Sequence, residues 1–262
     1  MPLGEKETGR MDRPPDQEPG LSKPPQVDLL EELLALAPRA DILDPQLVIL
    51  TVLSGLVALG GLFLNSPAII IGAMVISPLL EPIYAGVVFL AYGNMKKFFR
   101  HVWVMAVLVT ALIASSAFVT AIADLVTPLP ITPEILSRLE FQEISAILAI
   151  LLGITAIFAR KRGFVAAVIG VGISVALVPP AVVTGIVAVL LPGRLFDALS
   201  LTMNNIFGLF TGMLIAILLL DIGPERRSGP DLSRVNVLLM LICIGGLLLV
   251  VFFMLLILKH PS

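Results

Sequence analysis

The residues most able to do chemistry lie inside one apolar stretch, Asn65–Ala91, which holds Ser77-Pro78 and Glu81-Pro82 near its middle. Proline removes a backbone donor and clashes with the preceding turn, so two prolines four residues apart predict a kinked or open helix. A carboxylate near the bilayer centre costs roughly 2.5–3.5 kcal/mol and indicates a functional site. A broken helix with a buried acid is the pattern of a transporter or channel site. In the alternative interpretation, the prolines only shape packing and Glu81 lies in a wet crevice.

A second proline pair, Pro179-Pro180, lies in another long apolar run. We expect a ligand between the breaks at Ser77–Pro82 and Val178–Pro180, with Glu81 carrying a coupling proton or binding a cation. Ser174 offers a further hydroxyl beside the second break, although such hydroxyls more often bond to their own helix. Asn204 and Asn205 are expected as much to hydrogen-bond between helices as to contact a ligand. The candidate substrate- or ion-binding residues are Ser77, Pro78, Glu81, Pro82, Tyr84, Pro179, Pro180, Thr184, Asn204 and Asn205.

Composition sets the class of protein. The chain is 58% hydrophobic and only 14% charged, whereas a soluble domain is about 25% charged, and its mean hydropathy is +1.03. The apolar runs far exceed the ~10 residues of a barrel strand, which predicts an all-α polytopic membrane protein. A net charge of −2 leaves no basic face for nucleic acid. The single cysteine, Cys243, is expected to serve packing.

Hydropathy predicts seven transmembrane helices, of which the second and fifth are broken by proline. Lys and Arg are unequally distributed between the loops, with fourteen of the seventeen on one side. By the positive-inside rule, this places the N-terminus in the cytoplasm and the C-terminus outside. The predicted spans are Gln46–Leu64, Pro67–Ala91, Phe98–Ala123, Ile144–Ala159, Phe164–Leu191, Ala198–Leu220 and Val235–Leu258.

The segments around the spans divide the chain further. Residues 1–26 are rich in Pro, Gly and charge and predict a disordered cytoplasmic tail. A short amphipathic helix and linker occupy 27–45, with Val27–Ala37 expected to dock on the bundle. An outer loop covers 124–143, in which Thr132-Pro133 predicts a helix start. Residues 221–262 form a cytoplasmic loop and the last span.

Spans one to three (46–123) resemble spans four to six (144–220), at an offset of about 100 residues in the sequence. Gly72–Pro78 has its counterpart in Gly172–Pro180. An odd number of spans inverts the second copy, so the expected architecture is a 3+3 inverted repeat plus one extra helix. Secondary transporters of this kind bind substrate near the midplane.

Asn65–Leu80 resembles the signature of a prokaryotic family of uncharacterised hydrophobic-domain membrane proteins, domain of unknown function 389. Val175–Pro180 and the neighbourhood of Asn204-Asn205 resemble its second and third motifs, over roughly residues 45–222. The resemblance implies a multi-pass protein of the prokaryotic inner membrane and no particular substrate. The family pattern has a small residue, often glycine, where Glu81 stands, so Glu81 is expected to be particular to this chain.

Other side chains fit structural roles. Gly208 and Gly212 form a small-xxx-small pair that predicts close helix packing, and His101 is expected to be solvated or to face lipid headgroups. Hydrolase, phosphate-loop and metal-binding motifs are absent from the sequence, which favours a non-enzyme without cofactors.

The sequence thus predicts a secondary transporter of a small solute or ion, with membrane lipid and further copies of the chain as partners. The alternatives are an ion channel and a non-transporting membrane scaffold or stress sensor that makes its contacts through the N-terminal region. A channel would need a continuous polar pathway, against which the sparse polar content argues.

Overall fold

The structure is a computed structural model in which the described residues are 43–91, 93–140, 142–162, 164, 166–220 and the positions 237, 238, 240, 241, 244, 245 and 248. The predicted tail 1–26, the predicted helix Val27–Ala37, the loop 221–234 and Cys243 lie outside them. So does most of the predicted span Val235–Leu258.

The described part of the chain is helical and contains no strand. Its elements are α1 (Pro45–Phe63), α2 (Pro67–Ile76), α3 (Leu80–Ala91), α4 (Met95–Val126), α5 (Pro133–Glu140), α6 (Gln142–Lys161), α7 (Ala166–Leu190), a 3-10 turn (Pro192–Arg194) and α8 (Leu195–Leu219).

Four of these helices, α1, α4, α7 and α8, are long and apolar enough to cross a membrane. Two further pairs of helices are long and apolar enough only when each pair is taken as one span. These are α2 with α3, bent by 56°, and α5 with α6, bent by 85°. The described residues therefore hold four to six candidate spans. This confirms a helical chain with several apolar spans, whereas the count of seven and the inverted repeat stay predictions.

Helix α7 is the centre of the bundle. Within its apolar window 78% of residues are buried inside the protein, against 33% for α4, and α7 contacts each of the other helices α1 to α8. One prediction about this helix is wrong: the fifth predicted span is not broken. It forms one continuous helix through Pro179 and Pro180.

The turn between α1 and α2 is tied to the start of α5. Asn65 takes a left-handed conformation, with φ of 49°, and its Oδ1 accepts from the backbone N–H of Glu134 at 3.2 Å. The predicted helix start at Thr132-Pro133 is confirmed, since α5 begins at Pro133. The Thr132 hydroxyl, however, donates to the carbonyl of Leu62 at 2.7 Å.

Glycines allow the helices to approach closely. A Cβ on Gly212 would collide with the backbone of Ile150 in α6, and one on Gly208 would lie 2.9 Å from the carbonyl oxygen of Ala146. A Cβ on Gly185 would likewise collide with Ser116 in α4. The close packing predicted from Gly208 and Gly212 is confirmed.

Candidate functional site

The predicted break in the second span is confirmed. Helix α2 ends at Ile76, Ser77 is extended (φ −68°, ψ 126°) and α3 begins at Leu80. The last four carbonyls of a helix lack intrahelical partners, and Ala73 carries one of them. The hydroxyl of Ser54 in α1 donates to that carbonyl at 2.8 Å, so the carbonyl end of α2 is partly satisfied from a neighbouring helix.

The break is produced by Pro78 rather than by Pro82. Pro78 lies between the two half-helices, where its missing N–H and its ring prevent α2 from continuing. Pro82 lies in the first turn of α3, where an N–H would have no intrahelical partner in any case. Both Pro82 and Tyr84 face the bundle and are buried.

Glu81 is not the buried acid that the sequence predicts. Its side chain is exposed, whereas the side chains of Pro82, Ile83 and Tyr84 are buried. It lies in the first turn of α3, where a carboxylate is favoured by the partial positive charge of the amide end. The sequence indicates that position in the chain but not the direction of the side chain.

The continuity of α7 has a physical explanation in α8. Pro180 has no N–H to donate to the carbonyl of Ala176 four residues earlier. The side-chain Nδ2 of Asn205 donates to that carbonyl at 3.0 Å. A buried carbonyl without a partner would cost about 1–3 kcal/mol, so Asn205 removes the main penalty that Pro180 imposes on a buried helix.

Thr184 joins α7 to α8 through its side-chain hydroxyl. Its hydroxyl lies 2.9 Å from the carbonyl oxygens of Pro180 and Ala198 and 2.9 Å from Oγ1 of Thr202. One hydroxyl has one proton and two lone pairs, so it donates to one of these carbonyls and can accept from the hydroxyl of Thr202. We therefore interpret Thr184 as a structural link.

Four side-chain oxygens near these features are buried and have no hydrogen-bond partner among the described residues. They are Ser77 Oγ, Ser174 Oγ, Asn204 Oδ1 and Asn205 Oδ1. The orientation of the Asn205 side-chain amide is fixed, because only its nitrogen can donate to the carbonyl of Ala176. Its Oδ1 is thereby left as an acceptor in the bundle interior.

Contacts along α7 show which of its turns meet the break and α8. A Cβ on Gly170 would lie 3.6 Å from the side chain of Leu80, at the start of α3. Ser174 is one helical turn further along the same face of α7, and Ala176, bonded to Asn205, follows two residues later. From Gly170 to Ala176 the helix rises about 9 Å. Leu80 at the break thus meets α7 at Gly170 and Asn205 meets it at Ala176, within two helical turns along the axis.

His101 is another correction. Its side chain is fully buried, where the sequence predicts a solvated or headgroup-facing residue. Its Nδ1 lies 2.7 Å from the carbonyl oxygen of Lys97, and its ring lies 5.1 Å from that of Phe89. The imidazole ring is thus covered by α3. The position of His101 near the predicted end of a span does not indicate this burial.

Ser54 is the residue near the break that sequence reasoning missed. A single serine in an apolar span carries no signal of the helix that it will contact. Within the described residues, no group of three or more His, Cys, Asp or Glu could hold a metal ion. The buried polar atoms described for the region are hydroxyl, amide and carbonyl groups, while the carboxylate of Glu81 is exposed.

A helical bundle with several apolar candidate spans and a broken helix defines a class of integral membrane protein. The chain belongs to the family described as Domain of unknown function (DUF389), which matches residues 74–211. That region contains every site residue from Ser77 to Asn205. The chain is also 27% identical, over 221 residues, to an uncharacterized protein of Methanocaldococcus jannaschii, covering 82% of this chain and 67% of the relative. No solved structure matches the chain.

Proposed function

We propose that the chain is a secondary transporter whose site lies where the α2–α3 break meets α7 and α8. The observation that supports this is the set of four unpartnered buried oxygens, Ser77 Oγ, Ser174 Oγ, Asn204 Oδ1 and Asn205 Oδ1. Buried polar atoms in proteins are nearly always hydrogen-bonded, and exceptions call for an explanation. Each costs about 1–3 kcal/mol if nothing binds it.

The chemistry of the site favours a small cation as the transported or coupling species. Hydroxyl, amide and carbonyl oxygens are ligands of hard cations. The carbonyl end of the half-helix α2 adds partial negative charge at the break, as half-helix ends do in transporters that bind Na⁺. A neutral oxygen set suits a monovalent ion, since sites for divalent ions usually contain carboxylates.

Two further elements belong to the same proposal. The 3+3 inverted repeat would bring α2–α3 and α7 together as equivalent helices, one broken and one held continuous by Asn205. Glu81, exposed at the start of α3, would exchange a coupling proton without contacting the ion. The buried oxygens lie in an apolar core rather than along a polar pathway, which favours a transporter over a channel.

The proposal is tested by the thermal stability of the purified full chain in LiCl, NaCl, KCl and RbCl, with choline chloride as the reference at equal ionic strength. A cation that binds only the folded state stabilises it by about 2.7 kcal/mol at a hundred times its Kd. We expect one alkali cation to raise the melting temperature and Ser174→Ala to reduce that rise. In choline chloride, Ser174→Ala should be neutral or stabilising, because it removes an unpartnered buried hydroxyl.

Ser116→Ala is the matched control. The Ser116 hydroxyl is also fully buried, but it donates to Leu112 within its own helix at 2.7 Å. This variant should keep the full cation response. Equal responses in all four salts, or a response that survives Ser174→Ala undiminished, would overturn the proposed site.

A further inference from the structure

An apolar groove lies between the end of α6 and the start of α7, and none of the proposed ion ligands lines it. Its volume is about 480 Å³, within the 300–1,000 Å³ usual for ligand sites. Its lining includes Leu152, Thr155, Phe158, Arg162, Val168 and Gly172. The Thr155 hydroxyl already donates to the carbonyl of Leu151 at 2.8 Å, so the walls below the rim present hydrocarbon.

The length of the groove matches one membrane leaflet. From Leu152 to Arg162 the helix path rises about 15 Å, which is half of the ~30 Å hydrocarbon thickness of a bilayer. Val168 and Phe164, on the opposite wall, are 62% and 54% exposed, so the groove is open to the surroundings of the bundle. These dimensions fit an extended acyl chain.

Among the described residues that line the groove, the positive charge lies at one end. Arg162 follows the last turn of α6, is exposed and lines the groove, and it ends the sequence Arg160-Lys161-Arg162. The backbone N–H of Arg162 bonds to the carbonyls of Phe158 and Ala159 at 3.1 Å, which fixes the position of this residue at the rim. A guanidinium binds a phosphate through paired N–H groups.

We propose that this groove seats one anionic phospholipid, with an acyl chain between α6 and α7 and the phosphate at Arg162. The apolar groove and the cationic rim complement the two parts of such a lipid. Basic pockets between membrane helices recognise anionic headgroups in this way. The seat contains none of the residues proposed as ion ligands, and its existence does not depend on transport.

Native mass spectrometry of the full chain in detergent tests the seat, by titration with phosphatidylglycerol and with phosphatidylcholine of the same acyl chains. We expect the anionic lipid to bind more tightly. Arg162→Gln should weaken phosphatidylglycerol about fivefold, which corresponds to ~1 kcal/mol per cationic residue, and leave phosphatidylcholine unchanged. Val168→Trp, which fills the groove, should weaken both lipids.

Two controls make the result decisive. Lys96→Gln removes an exposed positive charge outside the groove, and Ile122→Trp enlarges an exposed apolar residue of α4; neither should change either affinity. Equal weakening by Lys96→Gln and Arg162→Gln would show diffuse surface attraction and overturn the seat. Unchanged lipid binding in Val168→Trp would also overturn it, and a change in oligomeric mass in that variant would assign the groove to a second copy of the chain.

Discussion

Asn205 Nδ2 lies 3.0 Å from the carbonyl oxygen of Ala176 and donates to it. In a regular helix this carbonyl would accept from the backbone N–H of residue 180, which is a proline. A side chain of α8 thereby replaces the backbone donor that the proline lacks. This contact offsets the hydrogen bond that Pro180 removes from a helix in the centre of an apolar bundle. It also leaves Asn205 Oδ1 buried beside the same turn of α7.

Asn205→Leu should destabilise the protein by about 1–2 kcal/mol, because the carbonyl of Ala176 would be buried without a donor. The loss should shrink in a Pro180→Ala background, since an alanine at that position supplies the missing N–H. Thermal unfolding of the two single variants and the double variant forms a double-mutant cycle. Strictly additive effects would show that Asn205 does not act through that carbonyl.

Gly212→Ala should destabilise the bundle by about 1–3 kcal/mol or more through overpacking, because its methyl group would meet the backbone of Ile150. Backbone cannot move aside as a flexible side chain can. Gly60→Ala is the control, since a Cβ there has nothing within 4 Å and alanine is the better helix former by up to about 1 kcal/mol. Melting temperatures of the two variants should move in opposite directions; a shared direction would contradict the packing described for α6 and α8.

Thr184→Val and Thr202→Val should each destabilise the protein by about 0.5–1.5 kcal/mol, as is usual for interhelical hydrogen bonds in membranes. The double variant should lose less than the sum, because the two hydroxyls share one contact of 2.9 Å. Thr110→Val serves as the comparison, since its exposed hydroxyl bonds only within its own helix. Chemical or thermal unfolding gives the stability of all four variants. If the double variant loses the full sum of the two single losses, the two hydroxyls do not interact.

Glu81→Gln should leave the cation-dependent stabilisation within about twofold of the wild type, because the side chain is exposed while the proposed ligands are buried. The intrinsic change in stability should stay within about 1 kcal/mol, the value of a carboxylate at a helix N-terminus. If Glu81 carries the coupling proton, ion flux in this variant should depend less on pH. Loss of the cation response would instead bring Glu81 into the ion site, and an unaltered pH dependence would remove its coupling role.

The sequence predicted the elements that follow from local backbone chemistry. The break at Pro78, the helix start at Pro133 and the close packing at Gly212 each depend on a residue type whose geometry is independent of the rest of the fold. The family assignment is likewise confirmed.

The errors all concern contacts between distant parts of the chain. Pro179-Pro180 carries the same local signal as Pro78. Asn205, however, is 25 residues away from Pro180 in the sequence, and no local pattern shows that it will donate to the carbonyl of Ala176. The outward direction of Glu81 and the burial of His101 depend on how α3 is rotated against α4. Sequence patterns give the period of a helix and do not give the rotation at which its neighbours meet it.

The central claim is an ion site where the α2–α3 break meets α7 and α8. Its most direct test is the flux of the stabilising alkali cation into proteoliposomes that contain the full chain, with an imposed gradient of that cation. The account predicts saturable flux in the wild type, little flux in the Ser77→Ala/Ser174→Ala double variant, and normal flux in the Ser116→Ala control. Equal flux in the double variant and the wild type, or no flux above empty liposomes, would contradict it.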